Sequence, residues 1–192
     1  MTQPDDLIDA LGPVIQAFRE LGIRYFIGGS IASSFHGATR STMDVDVVCD
    51  MTEAQSVPFV SSFSQDFYVS STAVENAVRG KSCFNLIHLP TSFKVDVFVS
   101  RGRPFDIDSM RRATEETLGT EKTLKVSIAT AEDSIVSKLE WYRLTHETSE
   151  RQWDDVTRLI RLLDNHLDVP YLRQAADTVG VRDLLERLLN QG

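Results

Sequence analysis

Phe26-Ile27-Gly28-Gly29-Ser30-Ile31-Ala32-Ser33-Ser34-Phe35-His36-Gly37, continuing through Arg40 to Met43-Asp44-Val45-Asp46-Val47-Val48-Cys49-Asp50, is the stretch on which the fold turns. It reads as strand, glycine turn, short helix, loop and second strand. A glycine turn that opens a helix suits a phosphate, because backbone N–H groups without helical partners and the helix dipole both point there. Gly28, Gly29 and Ser30 are therefore the candidate phosphate cradle. The Ser30 hydroxyl either caps the helix or bonds a phosphate oxygen, or does both. Asp44 and Asp46 stand at i and i+2 of the second strand, so both lie on one face, with Met43, Val45 and Val47 on the other. Mg²⁺ binds through one or two carboxylates plus substrate phosphates. Cradle and acid pair together suggest a site for a nucleoside triphosphate and its metal. The plainer alternative is a sheet with one wet face, whose acids serve solubility.

Two neighbours carry double readings. His36 is either a packing and helix-terminating residue or a nucleotide contact. Arg40, in the loop between turn and acids, is either solvated or a phosphate contact. Further along, Phe93 to Val99 alternates again, with Lys94, Asp96 and Phe98 on one face and Val95, Val97 and Val99 on the other. An unpaired carboxylate among apolar residues is costly. Asp96 therefore needs a metal, or Lys94 beside it as a cation partner. Cys83 to Leu89, ended by Pro90, pairs with this strand as an antiparallel hairpin.

Outside these strands the pattern is helical. Leu7, Leu11, Val14, Ile15 and Phe18 recur at helical spacing, with Pro13 as a kink or the start of a second piece and Gly22 as a stop. Thr52 caps a helix to about Ser64, Asp66 to Ser70 is a short strand, and Ser71 to Val78 is a helix stopped by Gly80. Arg101 to Asp106 reads as a loop. With Arg111 and Arg112 it forms the densest basic stretch, either a solvated face or the contact for an acidic or nucleic-acid acceptor. Leu118 to Ile128 offers one or two strands around Gly119. Thr130-Ala131-Glu132-Asp133 starts a helix with Ile135, Leu139 and Tyr142 as its inner stripe. Lys138, beside that stripe, either snorkels to water or reaches a triphosphate. From Trp153 onward the apolar stripes read as core. The prediction is an α/β (α+β) fold, a mixed sheet flanked by helices, with residues 1–129 as core and 130–192 as a helical C-terminal part packed on it.

Gly-Gly-Ser followed by Asp-Val-Asp-Val, with Asp96 on a later strand, resembles the signature of the polymerase-β-type nucleotidyltransferase superfamily. The helix bearing Lys138, followed by Arg151 and Asp155, resembles its AbiE-type toxin branch. This resemblance spans roughly residues 20 to 165. It implies transfer of an NMP group from an NTP to a hydroxyl or phosphate acceptor. Asp44, Asp46 and Asp96 would be the catalytic and metal-binding acids, holding two Mg²⁺ ions (or Mn²⁺) that stabilise attacking and leaving oxygens. Gly28, Gly29, Ser30, Arg40 and Lys138 would bind the nucleotide. The toxin branch further implies a tRNA or protein acceptor and an antitoxin partner. Rival readings are a small-molecule adenylyltransferase of the aminoglycoside-modifying kind and a non-catalytic nucleotide-binding or antitoxin-like module.

Composition narrows the classes. At 42% hydrophobic and 25% charged residues over 192 positions, the chain is that of an ordinary globular protein rather than a disordered one. A net charge of -8 argues against a general nucleic-acid coat, which needs excess Lys and Arg. No apolar run reaches a membrane span, and Met-Thr-Gln-Pro-Asp-Asp lacks the regions of a signal peptide, so a cytoplasmic location is expected. Cys49 and Cys83 read as buried, reduced thiols.

Overall fold

Alternation around Asp46 produces β2, Asp44–Cys49, the middle strand of a seven-stranded sheet. The computed structural model describes residues 4–37 and 44–190. Before β2 come α1 (Pro4–Glu20), β1 (Tyr25–Ile27) and α2 (Gly29–Phe35). After it come α3 (Glu53–Ser61), β3 (Phe67–Val69), α4 (Ser71–Gly80), β4 (Cys83–His88), β5 (Phe93–Val99) and α5 (Pro104–Arg112). The chain then forms β6 (Thr114–Leu118), β7 (Leu124–Ile128), α6 (Ala131–Leu144), α7 (Glu150–Leu163), α8 (Val169–Val179) and α9 (Arg182–Leu189). Strand order among the described residues is β3-β4-β5-β2-β1-β7-β6. β2 pairs parallel with β5 and antiparallel with β1, β1 pairs parallel with β7, and the outer pairs are antiparallel. The expected mixed sheet flanked by helices is what forms.

The two faces of the sheet are unequal. Val45, Val47, Val95 and Val97 are fully buried in one cluster with Leu11, Val14, Ile15 and Phe18 of α1 and Phe59 of α3. The opposite face of β2 and β5, carrying Asp44, Asp46, Lys94, Asp96 and Phe98, is only half-buried. A second cluster holds Ile135 and Leu139 of α6, Val156 and Leu159 of α7, and Leu172, Leu184 and Leu185 beyond them. It also takes in Phe105 of α5, and α6 packs on α2. The helical part thus borrows a residue from before position 129 and covers part of the acid-bearing face.

Several local expectations change. Pro13 lies inside a continuous α1; burial of Leu11, Val14 and Ile15 on either side outweighs its missing N–H. Gly22 ends that helix with φ +64, letting Ile23 N–H reach Phe18 O at 2.8 Å. α4 runs through Gly80 and stops at Lys81, which itself takes the left-handed conformation at φ 48. The segment read as a loop from Arg101 to Asp106 becomes helical at Pro104, which sits in the first turn. Asp106 accepts from the Arg103 backbone N–H at 3.2 Å, closing a capping box around an arginine, an unusual cap residue. Cys83 is exposed, not buried, because it faces the open side of β4. Among the described residues no helix is long and apolar enough to cross a membrane.

Candidate active site

Register brings the acids together. On the parallel pair β2–β5, Asp46 lies opposite Asp96 and Asp44 opposite Lys94. All four share the half-open face because their alternating neighbours fill the core. Burial, then the charges of Asp44 and Asp96, push the Asp46 carboxyl up to about 6, against the pull of Lys138 and Lys94. Lys94 Nζ lies 2.7 Å from Asp96 Oδ2, and this hydrogen bond raises the lysine's pKa. The cation partner expected as the alternative for Asp96 is therefore in place.

The glycine turn is built against the same carboxylate. Gly29 has φ +55, and a Cβ on it would stand 1.7 Å from Asp46 Oδ2. Only glycine permits both the left-handed backbone and this approach. Gly28 N–H donates to Asp46 O at 2.9 Å, so one of the amides expected to be open to phosphate is spent on joining turn to strand. Ser30 makes no side-chain cap. Its hydroxyl accepts from Arg151 at 2.9 Å, across 121 positions of sequence. His36 takes the packing role: its Nε2 bonds Ala129 O at 2.8 Å, tying the end of α2 to the end of β7. Arg40 lies outside the described residues.

Lys138 neither snorkels nor reaches out unpaired. It is 5% exposed, with Nζ 2.8 Å from Asp155 Oδ2 on α7. Arg151 and Asp155, singled out through the toxin-branch resemblance, thus meet Ser30 and Lys138. The basic stretch is largely neutralised. Arg103 pairs with Asp106 and Glu140, Arg111 with Asp108, and Arg112 with Glu132 and Asp133 while lying 3.7 Å over the Tyr171 ring.

A cavity of about 460 Å³ opens between α6 and the sheet. Gly28, Gly29, Ser30, Asp46, Lys138 and Arg151 line one part of it; Phe98, Trp141, Gln152, Lys81 and Cys83 are also in its wall. The last five were not singled out as site residues. Trp141 had one weak signal, standing three residues after Lys138 and so on the same side of the helix, and Phe98 had another, sharing the β5 face of Asp96; Lys81, Cys83 and Gln152 are assembled only by the packing of the helices over the sheet.

Three carboxylates on neighbouring strands are the right donors for a hard cation such as Mg²⁺. Burial first, and then the neighbouring carboxylates, disfavour the Asp46 charge, and a cation would offset both. They are not drawn together as a ligand cluster: no group of three His, Cys, Asp or Glu side chains among the described residues is arranged to hold an ion. Lys94 supplies the positive charge beside Asp96, and Asp44, Asp46 and Asp96 are the residues that would hold a cation on this face.

No protein-family model and no curated protein matches the sequence. Solved structures do match. An antigenic nucleotidyltransferase-like protein from Paracoccidioides brasiliensis superposes with a TM-score of 0.54 at 21% identity, over 97% of this chain and 93% of its own. The antibiotic-resistance factor ANT(2'')-Ia gives 0.51 at 12% identity, over 99% and 100%. The fold is that of nucleotidyltransferase-like proteins. At such identities the likeness carries the fold alone, and it covers both the acid-bearing sheet and the C-terminal helices.

Proposed function

We propose that this chain is a metal-dependent nucleotidyltransferase that moves an NMP group from an NTP to a hydroxyl acceptor. The observation that carries the reading is the register of Asp46 against Asp96, with Gly29 pressed on the Asp46 carboxylate. Such a contact excludes every side chain at position 29 and crowds acids where a solubility role would spread them.

On this reading Asp44, Asp46 and Asp96 hold Mg²⁺ or Mn²⁺. The bound metal neutralises phosphate charge and makes the acceptor hydroxyl easier to deprotonate. Gly29 N–H and the Ser30 hydroxyl, held by Arg151, position the β- and γ-phosphates. Lys138, a residue of α6 paired with Asp155, counters triphosphate charge when it exchanges that carboxylate for the phosphates. Asp96, released by Lys94, accepts the proton of the acceptor hydroxyl as its oxygen attacks the α-phosphorus and pyrophosphate leaves.

The paired state of Arg103, Arg111 and Arg112 favours a small acceptor over tRNA, since those cations are already committed to carboxylates. The toxin-type reading, with a macromolecular acceptor and an antitoxin, draws on one observation: Arg151 and Asp155 converge on Ser30 and Lys138. Calorimetry with all four NTPs, with and without Mg²⁺, tests the core reading. Metal-dependent binding by the wild type, lost in Asp44→Asn/Asp46→Asn, is expected. A folded wild type that binds no NTP would overturn it.

A further inference from the structure

The cavity extends from the glycine turn to Trp141 and Gln152. Asp46, Gly28, Gly29, Ser30 and Lys138 line it, while Asp44 and Asp96 do not, so it lies on the nucleotide side of the acids. Along α6, Trp141 follows Lys138 by three residues, about 4.5 Å of helical rise. Trp141 is 49% exposed, a large aromatic surface left open, and its ring meets the Phe98 ring at 6.1 Å. α6 and α7 form a hairpin through residues 145–149. Its register is set by the Lys138–Asp155 pair and by the Tyr142–Trp153 rings at 5.1 Å. That register brings Gln152 to the level of Trp141, and both line the cavity. Gln152 Oε1 is buried and has no hydrogen-bond partner. Leaving a buried acceptor unpaired is costly and calls for a group that donates to it.

We infer that the Trp141–Phe98–Gln152 end of the cavity seats the nucleotide base and reads it as adenine. This rests on the nucleotide site proposed above. The base stacks on Trp141, an interaction open to any base. The Gln152 amide supplies the choice: its oxygen accepts from the adenine N6 amine while its nitrogen donates to N7, the pairing in which glutamine recognises adenine. On that edge guanine presents an acceptor, O6, and uracil an acceptor, O4, where N6 would be, so each leaves Gln152 Oε1 unpaired, while cytosine offers its N4 amine but no acceptor beside it for the amide nitrogen. With the phosphates at Gly29 and Ser30, ATP is the donor that satisfies both ends.

The test is equilibrium binding of ATP, GTP, CTP and UTP with Mg²⁺ to wild type, Gln152→Ala, Trp141→Ala and Trp141→Phe, each checked by circular dichroism for folding. ATP should bind wild type at least about tenfold more tightly than GTP or UTP, in line with one good bidentate contact, and more tightly than CTP; CTP binding as tight as ATP would overturn the adenine assignment. Gln152→Ala should erase that preference while leaving UTP affinity unchanged. Trp141→Ala should weaken all four by roughly tenfold, and Trp141→Phe should restore most of it. If wild type binds NTPs in a way that Asp44→Asn/Asp46→Asn abolishes, yet shows no ATP preference or keeps it in Gln152→Ala, the base assignment is wrong and the nucleotide site stands. If wild type binds no NTP, both fall together.

Discussion

Asp46 costs the protein stability, and replacing it should reveal how much. Burial and the neighbouring acids push its carboxyl up to about 6 in the folded chain, against 3.8 for a free aspartate. Below pH 3.8 the group is protonated whether folded or unfolded and contributes nothing. Between the two values the folded protein holds the proton more tightly than the unfolded chain, so stability falls as pH rises. Above about pH 6 the full penalty applies, about 3 kcal/mol for that displacement. Asp46→Asn keeps the shape and removes the charge. In urea denaturation with EDTA at pH 7.5 the variant should be more stable than wild type by up to about 3 kcal/mol. For a chain of this size that is roughly 6–12 °C in melting temperature. By pH 4 the advantage should shrink below about 1 kcal/mol. Adding MgATP should reverse the order, since only the wild type gains ligand linkage. An Asn variant less stable than wild type at pH 7.5, or an advantage that does not fade on acidification, would refute the argument that the acids repel one another in a buried site.

Gly29→Ala should fold less stably by about 1–2 kcal/mol from its left-handed backbone alone, and should lose metal-dependent NTP binding because its Cβ displaces the Asp46 carboxylate; calorimetry and thermal melts check both. Asp155→Ala leaves the buried Lys138 ammonium unpaired and should cost about 3–5 kcal/mol in urea denaturation. Lys138→Met/Asp155→Leu should recover much of that stability without recovering nucleotide binding. Cys83 should react with a maleimide at pH 7.5 and be protected by MgATP, because it lines the cavity. Cys49, its thiol pushed up to about 12 by burial, should stay unlabelled in the folded protein; mass spectrometry distinguishes the two sites.

Much of the architecture could be read from local pattern. The strict alternation in β2 and β5 is a backbone consequence, so which residues face the core and which face the site follows from counting by twos. Thr130 accepts from Asp133 N–H at the start of α6, as its position before Glu132 and Asp133 implied. The α5 start was hidden because Arg103 is not a usual capping residue, and Lys81 was hidden because a lysine seldom takes a left-handed turn.

The sequence by itself determined the α/β order, the shared face of Asp44 and Asp46, and the glycine turn between β1 and α2. These depend on residues a few positions apart, whose geometry the backbone dictates. Tertiary structure alone decided that Asp96 stands beside Asp46 rather than some other residue of β5, because the register between strands is set by packing across the whole sheet. It also decided that Ser30 is held by Arg151, that Lys138 is paired with Asp155, and that the arginines of α5 are neutralised. Ser30–Arg151 joins segments 121 positions apart, Lys138–Asp155 joins two helices, and Arg112 reaches Glu132 on α6, whereas Arg111 pairs within its own helix with Asp108. Charged side chains there choose their partners by where helices dock, and no local periodicity records that.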